Sequence, residues 1–306
     1  MSENGTTKTI TDDLIQPFQM AEAGVRGRLV RMGKAVDDIL NRHDYPETVA
    51  HLLGESLVLS AILGGALKFD GVFTVQTKGD GAISMLASDM TTPGQMRGYA
   101  AFDADKLAVA EKTGGMDRIK QFLGKGYIAF TIDGRDTDQR YQGIVALEGN
   151  SLSHCMEDYF DKSEQLETKL MVAVEKRDGR WRAGGLMIQR LPDADGKVLN
   201  QDEHEEAWRN AEALVGTVKD EELTDPRMRS PELLYRLFHE DGVWLYDPQI
   251  LVDQCSCSEE RFLGTLKTFA AAELEDIAED GKIVADCQFC SARYSFSLST
   301  ITGAAS

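Results

Sequence analysis

Between residue 12 and about residue 192 the chain alternates segments of two-residue hydrophobic period with segments of helical period. Val25 to Leu29 reads as a strand, and Met32 to Arg42 as a helix with Val36, Ile39 and Leu40 on one face. Pro46 to Leu67 opens on a proline, which the first turn of a helix tolerates. It carries Val49, Leu52, Leu53, Leu57, Leu63 and Leu67, so it predicts a largely buried helix. Val72 to Lys78 and Ala82 to Ala87 flank Gly79-Asp80-Gly81, a hairpin turn signal. Lys169 to Glu175 and Trp181 to Gln189 form a similar pair across Arg177 to Arg180, and Tyr127 to Ile132 and Arg140 to Glu148 add two strands. The expected class is α+β, an N-terminal and mainly antiparallel sheet with packed helices.

The pattern changes after Pro192. From Asp193 to Glu232 twelve acidic residues face five basic ones. Within that segment Ala207, Trp208, Ala211, Leu214, Val215 and Val218 fall on one helical stripe of an otherwise charged stretch. The stretch reads as a linker helix docked on the body, or as one that can undock and expose the stripe. Three parts are expected: an α+β core over 1–192, an acidic helical linker over 193–245, and a small C-terminal module over 246–306.

Composition narrows the function. In 306 residues, 42% are hydrophobic and 27% charged, as in ordinary water-soluble proteins. With 33 Lys and Arg against 51 Asp and Glu, the net charge of −18 repels phosphate backbones and anionic headgroups, so neither nucleic acid nor membrane is an expected partner. Met1 to Thr11 is polar and lacks the pattern of a secretory signal, and the longest charge-free apolar run, Ser56 to Leu67, is shorter than a membrane span, so a cytoplasmic protein is expected. Gly79-Asp80-Gly81 and Gly124-Lys125-Gly126 lack the remaining residues of phosphate-binding loops, and turns explain them. His43, His51, His154, His204 and His239 show no metal-ligand spacing, and Cys155, beside Leu152 and Met156, reads as a core thiol.

Four of the five cysteines crowd into the C-terminal module, as Cys255-Ser256-Cys257 and Cys287-Gln288-Phe289-Cys290. Four thiols in two close pairs are the donor set of a structural zinc site, with one zinc per chain. Residues i and i+2 of an extended chain share a face, so Cys255 and Cys257 can meet one ion, and Cys-x-x-Cys supplies the opposite edge. The Cys-x-Cys spacing is unlike that of the common iron–sulfur ferredoxins. Between Ile250 and Thr300 nine acids face four bases, which argues against a zinc ribbon that binds nucleic acid.

These cysteines, preceded by Leu245-Tyr246-Asp247-Pro248-Gln249, resemble the 33-kilodalton heat-shock protein family of redox-regulated holdase chaperones. The likeness extends through Leu67 to Gly71, Gln95 to Gly98, Tyr141 to Gly143, Glu157 to Leu166 and Ala183 to Gly185, in family order. It implies an ATP-independent chaperone, not an enzyme, that is quiescent while reduced and zinc-bound. Peroxide with mild heat, or hypochlorite, would oxidise the thiols, release zinc, unfold the C-terminal part and turn on binding of unfolding clients. The resemblance also implies an oxidised homodimer and handover of clients to ATP-dependent foldases. On oxidation the near neighbours Cys255 with Cys257, and Cys287 with Cys290, are the expected disulfides. Trp208, Leu214, Val215 and Val218 are the candidate client-binding residues. The alternatives are a thiol–disulfide oxidoreductase, whose Cys-x-x-Cys spacing the second pair shares, and the nucleic-acid-binding zinc ribbon.

Overall fold

A computed structural model describes residues 12–20, 23–67, 70–114, 117–135, 140–191 and 201–302. The expected boundary at residue 192 and the polar stretch 1–11 lie outside the described residues. The chain divides into two compact units, Met1–Asp253 and Gln254–Ser306.

The first unit holds the helix Glu47–Gly64 between two six-stranded sheets. One sheet runs in the order Val243–Leu245, Leu14–Met20, Val25–Met32, Arg180–Arg190 and Thr168–Arg177, with Gln249–Ile250 also paired to Leu14–Met20. The other runs Val252–Asp253, Gln95–Phe102, Ile83–Thr91, Gly71–Gly79, Gly126–Gly134 and Arg140–Ala146. Every pairing is antiparallel except that of Val252–Asp253 with Gln95–Phe102. The α+β class with antiparallel sheets is therefore as expected.

The central helix is apolar almost all round, as a helix enclosed on every side must be. Leu52, Leu53, Leu57, Val58, Leu59 and Ile62 are at most 1% exposed. Its buried hydroxyls have partners: Ser56 Oγ lies 2.7 Å from Ser88 Oγ on the neighbouring sheet, and Ser60 Oγ donates to the Leu57 carbonyl at 2.9 Å. The helix is long and apolar enough to cross a membrane, yet 83% of it is buried inside the protein, which marks it as a core helix.

Strand Val25–Met32 is covered on both faces, which a half-exposed strand would not be. Val30 and Met32 face the central helix's core, while Val25 and Leu29 join Phe18, Leu186 and Ile188 in a second core. Three helices of the acidic segment, Gln201–Val215, Asp220–Thr224 and Ser230–Phe238, cover this outer face. Trp208, Ala211, Val215 and Val218 are buried there, and Ala207 and Leu214 pack at the margin. The helix ends at Val215, so Val218 is buried from the following turn and not from the stripe itself. Residues 201–245, expected as a linker, thus lie within the first unit. So do residues 246–253, because Gln249–Ile250 and Val252–Asp253 complete the two sheets.

Boundaries shift where pairing outcompetes helix propensity. Met32 pairs with Ala183, so the predicted helix from Met32 begins at Lys34, where Asp13 accepts from the backbone N–H groups of Gly33, Lys34 and Ala35. The Gly79 and Gly81 turn has a packing reason: a Cβ on Gly79 would stand 2.0 Å from the Leu123 carbonyl oxygen. The second hairpin turns through Asp178 and Gly179, both at positive φ.

One buried charge binds the outer helical layer to the sheet. Arg31, 1% exposed, donates to the Glu222 carbonyl at 3.0 Å and to the Asp225 carbonyl, and lies 3.7 Å from Asp12. Arg182 donates to the Thr224 carbonyl at 2.8 Å and pairs with Asp12 at 2.6 Å. Both guanidiniums therefore satisfy the last carbonyls of helix Asp220–Thr224, a helix too short to be stable alone.

The second unit has a hairpin, Lys282–Asp286 with Arg293–Ser297, and three short helices, Glu259–Leu266, Ala271–Ile277 and Leu298–Thr302. Its buried core is small: Leu266, Leu274, Ile283, Phe296 and Ile301.

Replacing Arg31 with Met should lower stability to urea by about 3–5 kcal/mol, because the Glu222 and Asp225 carbonyls lose a buried charged donor, while Asp12 keeps Arg182. Hydrogen exchange should then speed up first in residues 220–225. Unchanged stability and exchange would show that Arg31 does not anchor the layer.

Candidate metal centre

Cys255 and Cys257 lie in the chain that enters the second unit, just before Ser258 caps the helix Glu259–Leu266. The cap is local: Ser258 Oγ accepts from the Arg261 N–H at 3.3 Å, and the Arg261 guanidinium donates to the Ser256 carbonyl at 2.8 Å. The backbone between the two cysteines is held from the helix's first turn. Cys287 and Cys290 occupy the turn between the hairpin strands. There the Cys287 N–H donates to Ala292 at 2.9 Å, the Ser291 N–H to Cys287 at 2.8 Å, and Ser291 takes a positive φ of 59°. Asp286 and Arg293, paired at 2.8 Å, close the strands beneath that turn.

The four ligand atoms lie within 4.8 Å of one another. Cys255 Sγ is 3.8 Å from Cys287 Sγ, and Cys257 Sγ is 3.3 Å from Cys290 Sγ. Cys287 is buried and the other three are half-buried. Sulfurs bound tetrahedrally at 2.3 Å from one zinc would stand about 3.8 Å apart, so the donor set and its spacing fit such an ion. The close contacts run between the two pairs, while the neighbours within each pair fall inside the same 4.8 Å.

The thiols do not titrate alike. Burial pushes Cys257 up, but hydrogen bonds from the Tyr294 hydroxyl at 3.2 Å and from the other thiols outweigh it and bring the pKa down to about 7. Cys290 is pushed up to about 12, by burial and then by its contacts with the other three sulfurs. These contacts favour a thiolate at Cys257, the form in which a cysteine binds a cation. Neither Tyr294 nor Arg261 stands out in the sequence; an aromatic in strand register beside Cys-x-x-Cys and an arginine three residues past a serine cap were the available signals.

Cys155 belongs elsewhere. It is 1% exposed in the first unit, donates to the Glu148 carbonyl at 2.9 Å, and is pushed up to about 11 by burial. Among the described residues no histidine joins a group of three or more metal-ligating side chains. Trp208, Leu214, Val215 and Val218 lie on the outer face of the first sheet, in the first unit.

A two-unit α+β chain with four converging thiols beside a small core is a protein with a candidate cysteine metal centre. A family model described as "Hsp33 protein" matches residues 13–297. A 33 kDa chaperonin of Caulobacter vibrioides is 42% identical over 291 residues, covering 93% of this chain and 95% of that protein. That of Photorhabdus laumondii is 39% identical over 285 residues, covering 93% of each. The crystal structure of the Thermotoga maritima 33 kDa chaperonin (heat shock protein 33 homolog) superposes with a TM-score of 0.78 at 21% identity, covering 95% of this chain and 97% of that one, and so shares its fold. The chain belongs to the Hsp33 family, a family of chaperones.

In reduced, chelator-treated protein at pH 8, iodoacetamide should alkylate the four C-terminal thiols while Cys155 stays unmodified, as mass spectrometry of peptides would read. Cys155 labelling at a comparable rate would contradict its place in the core.

Proposed function

We propose that this chaperone is a redox-controlled, ATP-independent holdase whose switch is Cys255, Cys257, Cys287 and Cys290. The observation that carries the reading is the convergence of four sulfurs within 4.8 Å in a unit whose buried apolar cluster, among the described residues, is five side chains. Such a core is too small to hold some 50 residues reliably without a staple. Zinc, the metal that best suits four thiolates, would offset half of their charge and cross-link the Cys255 to Cys257 segment to the hairpin turn. Apparent zinc-binding free energies of about 10–16 kcal/mol match or exceed the stability of a whole domain.

The same sulfur atoms that would bind the ion are the ones an oxidant meets. Peroxide or hypochlorite accepts two electrons per disulfide, and the sulfur pairs Cys255 with Cys257 and Cys287 with Cys290 become S–S bonds that no longer offer thiolates. A bridge across a single intervening residue is strained and readily reduced again, which suits a reversible switch. Loss of the staple frees the chain at Cys255, two residues beyond Asp253. Asp253 pairs with Arg42, and its short strand lies parallel to Gln95–Phe102. Fraying would then propagate into the acidic layer, where Trp208, Leu214, Val215 and Val218 cover apolar sheet surface that unfolding clients could use. Acidic flanks keep such a complex soluble. On this reading the oxidised chain acts as a homodimer in the cytoplasm and passes clients to ATP-dependent foldases once its thiols are reduced. Cys287-x-x-Cys290 sits in a hairpin turn, not at the start of a helix after a strand, which weighs against an oxidoreductase. The excess of acids in the C-terminal module weighs against nucleic acid.

Reduced protein should contain one zinc per chain, and Cys287→Ser should abolish most of it by metal analysis. Zero zinc in the reduced chain would reject the site. Peroxide with mild heat should release that zinc and let the protein suppress aggregation of a thermally unfolding client without ATP. Suppression equal in the reduced, zinc-loaded state would reject the switch.

Leu214→Asp should weaken the docked layer by about 1–2 kcal/mol, since the side chain is only partly buried, and give partial holdase activity before oxidation. If the variant stays silent until oxidised and residues 203–219 exchange unchanged in both redox states, the client surface lies elsewhere.

A further inference from the structure

Away from the cysteines, at the C-terminal end of the central helix, the two sheets of the first unit splay around a cleft of about 460 Å³. Its walls are apolar and in part aromatic: Phe73 and Phe130 from one sheet, Met187 from the other, and Met156, Tyr159 and Phe160 from the helix Leu152–Tyr159 and its continuation. That continuation, Phe160–Glu164, is a π-helical turn and is followed by Gln165 at a positive φ of 53°. Such backbone irregularity concentrates at functional sites.

Polar groups are few and sorted by charge. Arg26 lines the cleft and is exposed, and it donates to a neutral partner, Gln189 Oε1, at 3.2 Å. No carboxylate of the described residues lies within ion-pair distance of Arg26, in a chain whose net charge is −18. Gln189 is itself 2% exposed and donates to the Thr168 hydroxyl at 3.2 Å, so the acceptor that aims Arg26 is fixed. Arg28, on the same strand, is occupied by the Gly65 carbonyl at 3.0 Å. The one acid of the lining, Glu164, already accepts from the hydroxyls of Tyr141 at 2.8 Å and Tyr159 at 2.6 Å. A ligand's negative head is therefore drawn to Arg26 and repelled by Glu164, which sets its direction in the cleft.

We propose that this cleft binds a medium-chain fatty acid, with its carboxylate on Arg26 and its alkyl chain between the apolar walls. An alkyl chain suits the lining better than a peptide does. Strands Val25–Met32, Gly71–Gly79, Gly126–Gly134 and Arg180–Arg190 are all interior strands paired on both sides, so they offer no free backbone groups to an extended chain. Each buried peptide group without a partner would cost about tenfold or more in affinity, whereas methylene groups need no partner. The size lies within the range of small-molecule sites.

The test is calorimetric titration of the reduced full chain with decanoate below its micellar concentration. Decanol, decyltrimethylammonium and a short peptide with an apolar carboxyl terminus serve as controls. One decanoate per chain should bind, at least tenfold more tightly than any control. Arg26→Gln should weaken it at least tenfold, and Ala66→Phe, which fills the cleft from its rim, should abolish it. In wild-type protein labelled at methionine methyls, decanoate should shift Met156 and Met187, a reading that holds even if Ala66→Phe fails to fold. No decanoate binding, equal binding by Arg26→Gln, equal or tighter binding of the peptide, or unshifted Met156 and Met187 would each overturn the assignment. None of these results depends on oxidation or on the thiol cluster, so the test stands apart from that of the holdase reading.

Discussion

Four sulfur atoms within 4.8 Å of one another cannot all be ionised without a cation among them. Two unit charges 4 Å apart repel by about 4 kcal/mol at an effective dielectric of 20, and four thiolates make six such pairs. The cluster has three ways out: keep its protons, hold a cation, or give up electrons and form S–S bonds. The uneven thiols show the first solution, with Cys257 brought down to about 7 and Cys290 pushed up to about 12. Only a bound cation also ties the Cys255 to Cys257 segment to the hairpin turn at Cys287 and Cys290, and the second unit has little else with which to stay folded.

The first unit is built on a different principle. Its central helix is enclosed by protein on all sides, and its sheets are covered on their inner faces by that helix. On the outer face of one sheet the acidic helices form a separate layer, with a core of its own from Phe18 and Phe238, whose rings stack at 5.6 Å, to Trp208 and Val215. The layer is attached by apolar contact and by Arg31 and Arg182, with no covalent or metal staple among the described residues. On the proposed reading stability is graded along the chain: a large inner core, an outer layer held by more modest contacts, and a small unit that relies on its cysteines.

Much of this was legible in the sequence where one strong signal acts alone. Cysteine spacing marked the cluster, because few other side chains compete for that arrangement. The Gly79 to Gly81 and Asp178-Gly179 turns marked their hairpins, and a long apolar run marked the central helix. Elements whose structure depends on partners far away in sequence were not legible. Strand Leu14–Met20 contains Pro17, which argues against a strand, yet it pairs on both sides. Strand Gln95–Phe102 carries Arg97 and Gly98, and Arg97 is balanced by Asp89 at 2.6 Å across the sheet. The short strands at Val243–Leu245, Gln249–Ile250 and Val252–Asp253 are too brief to carry a period of their own. In the acidic segment the stripe was legible and its docking expected, but not the anchor, because Arg31 meets partners some 190 residues away.

The central claim is that the cluster's staple holds the second unit while the first unit stands without it. Hydrogen exchange on the reduced chain, with and without chelation of its metal, tests this most directly. Chelation should strip protection from residues 259–302 while helix Glu47–Gly64 keeps its own. Equal protection of residues 259–302 in both states would contradict the claim, as would loss of protection in both units together.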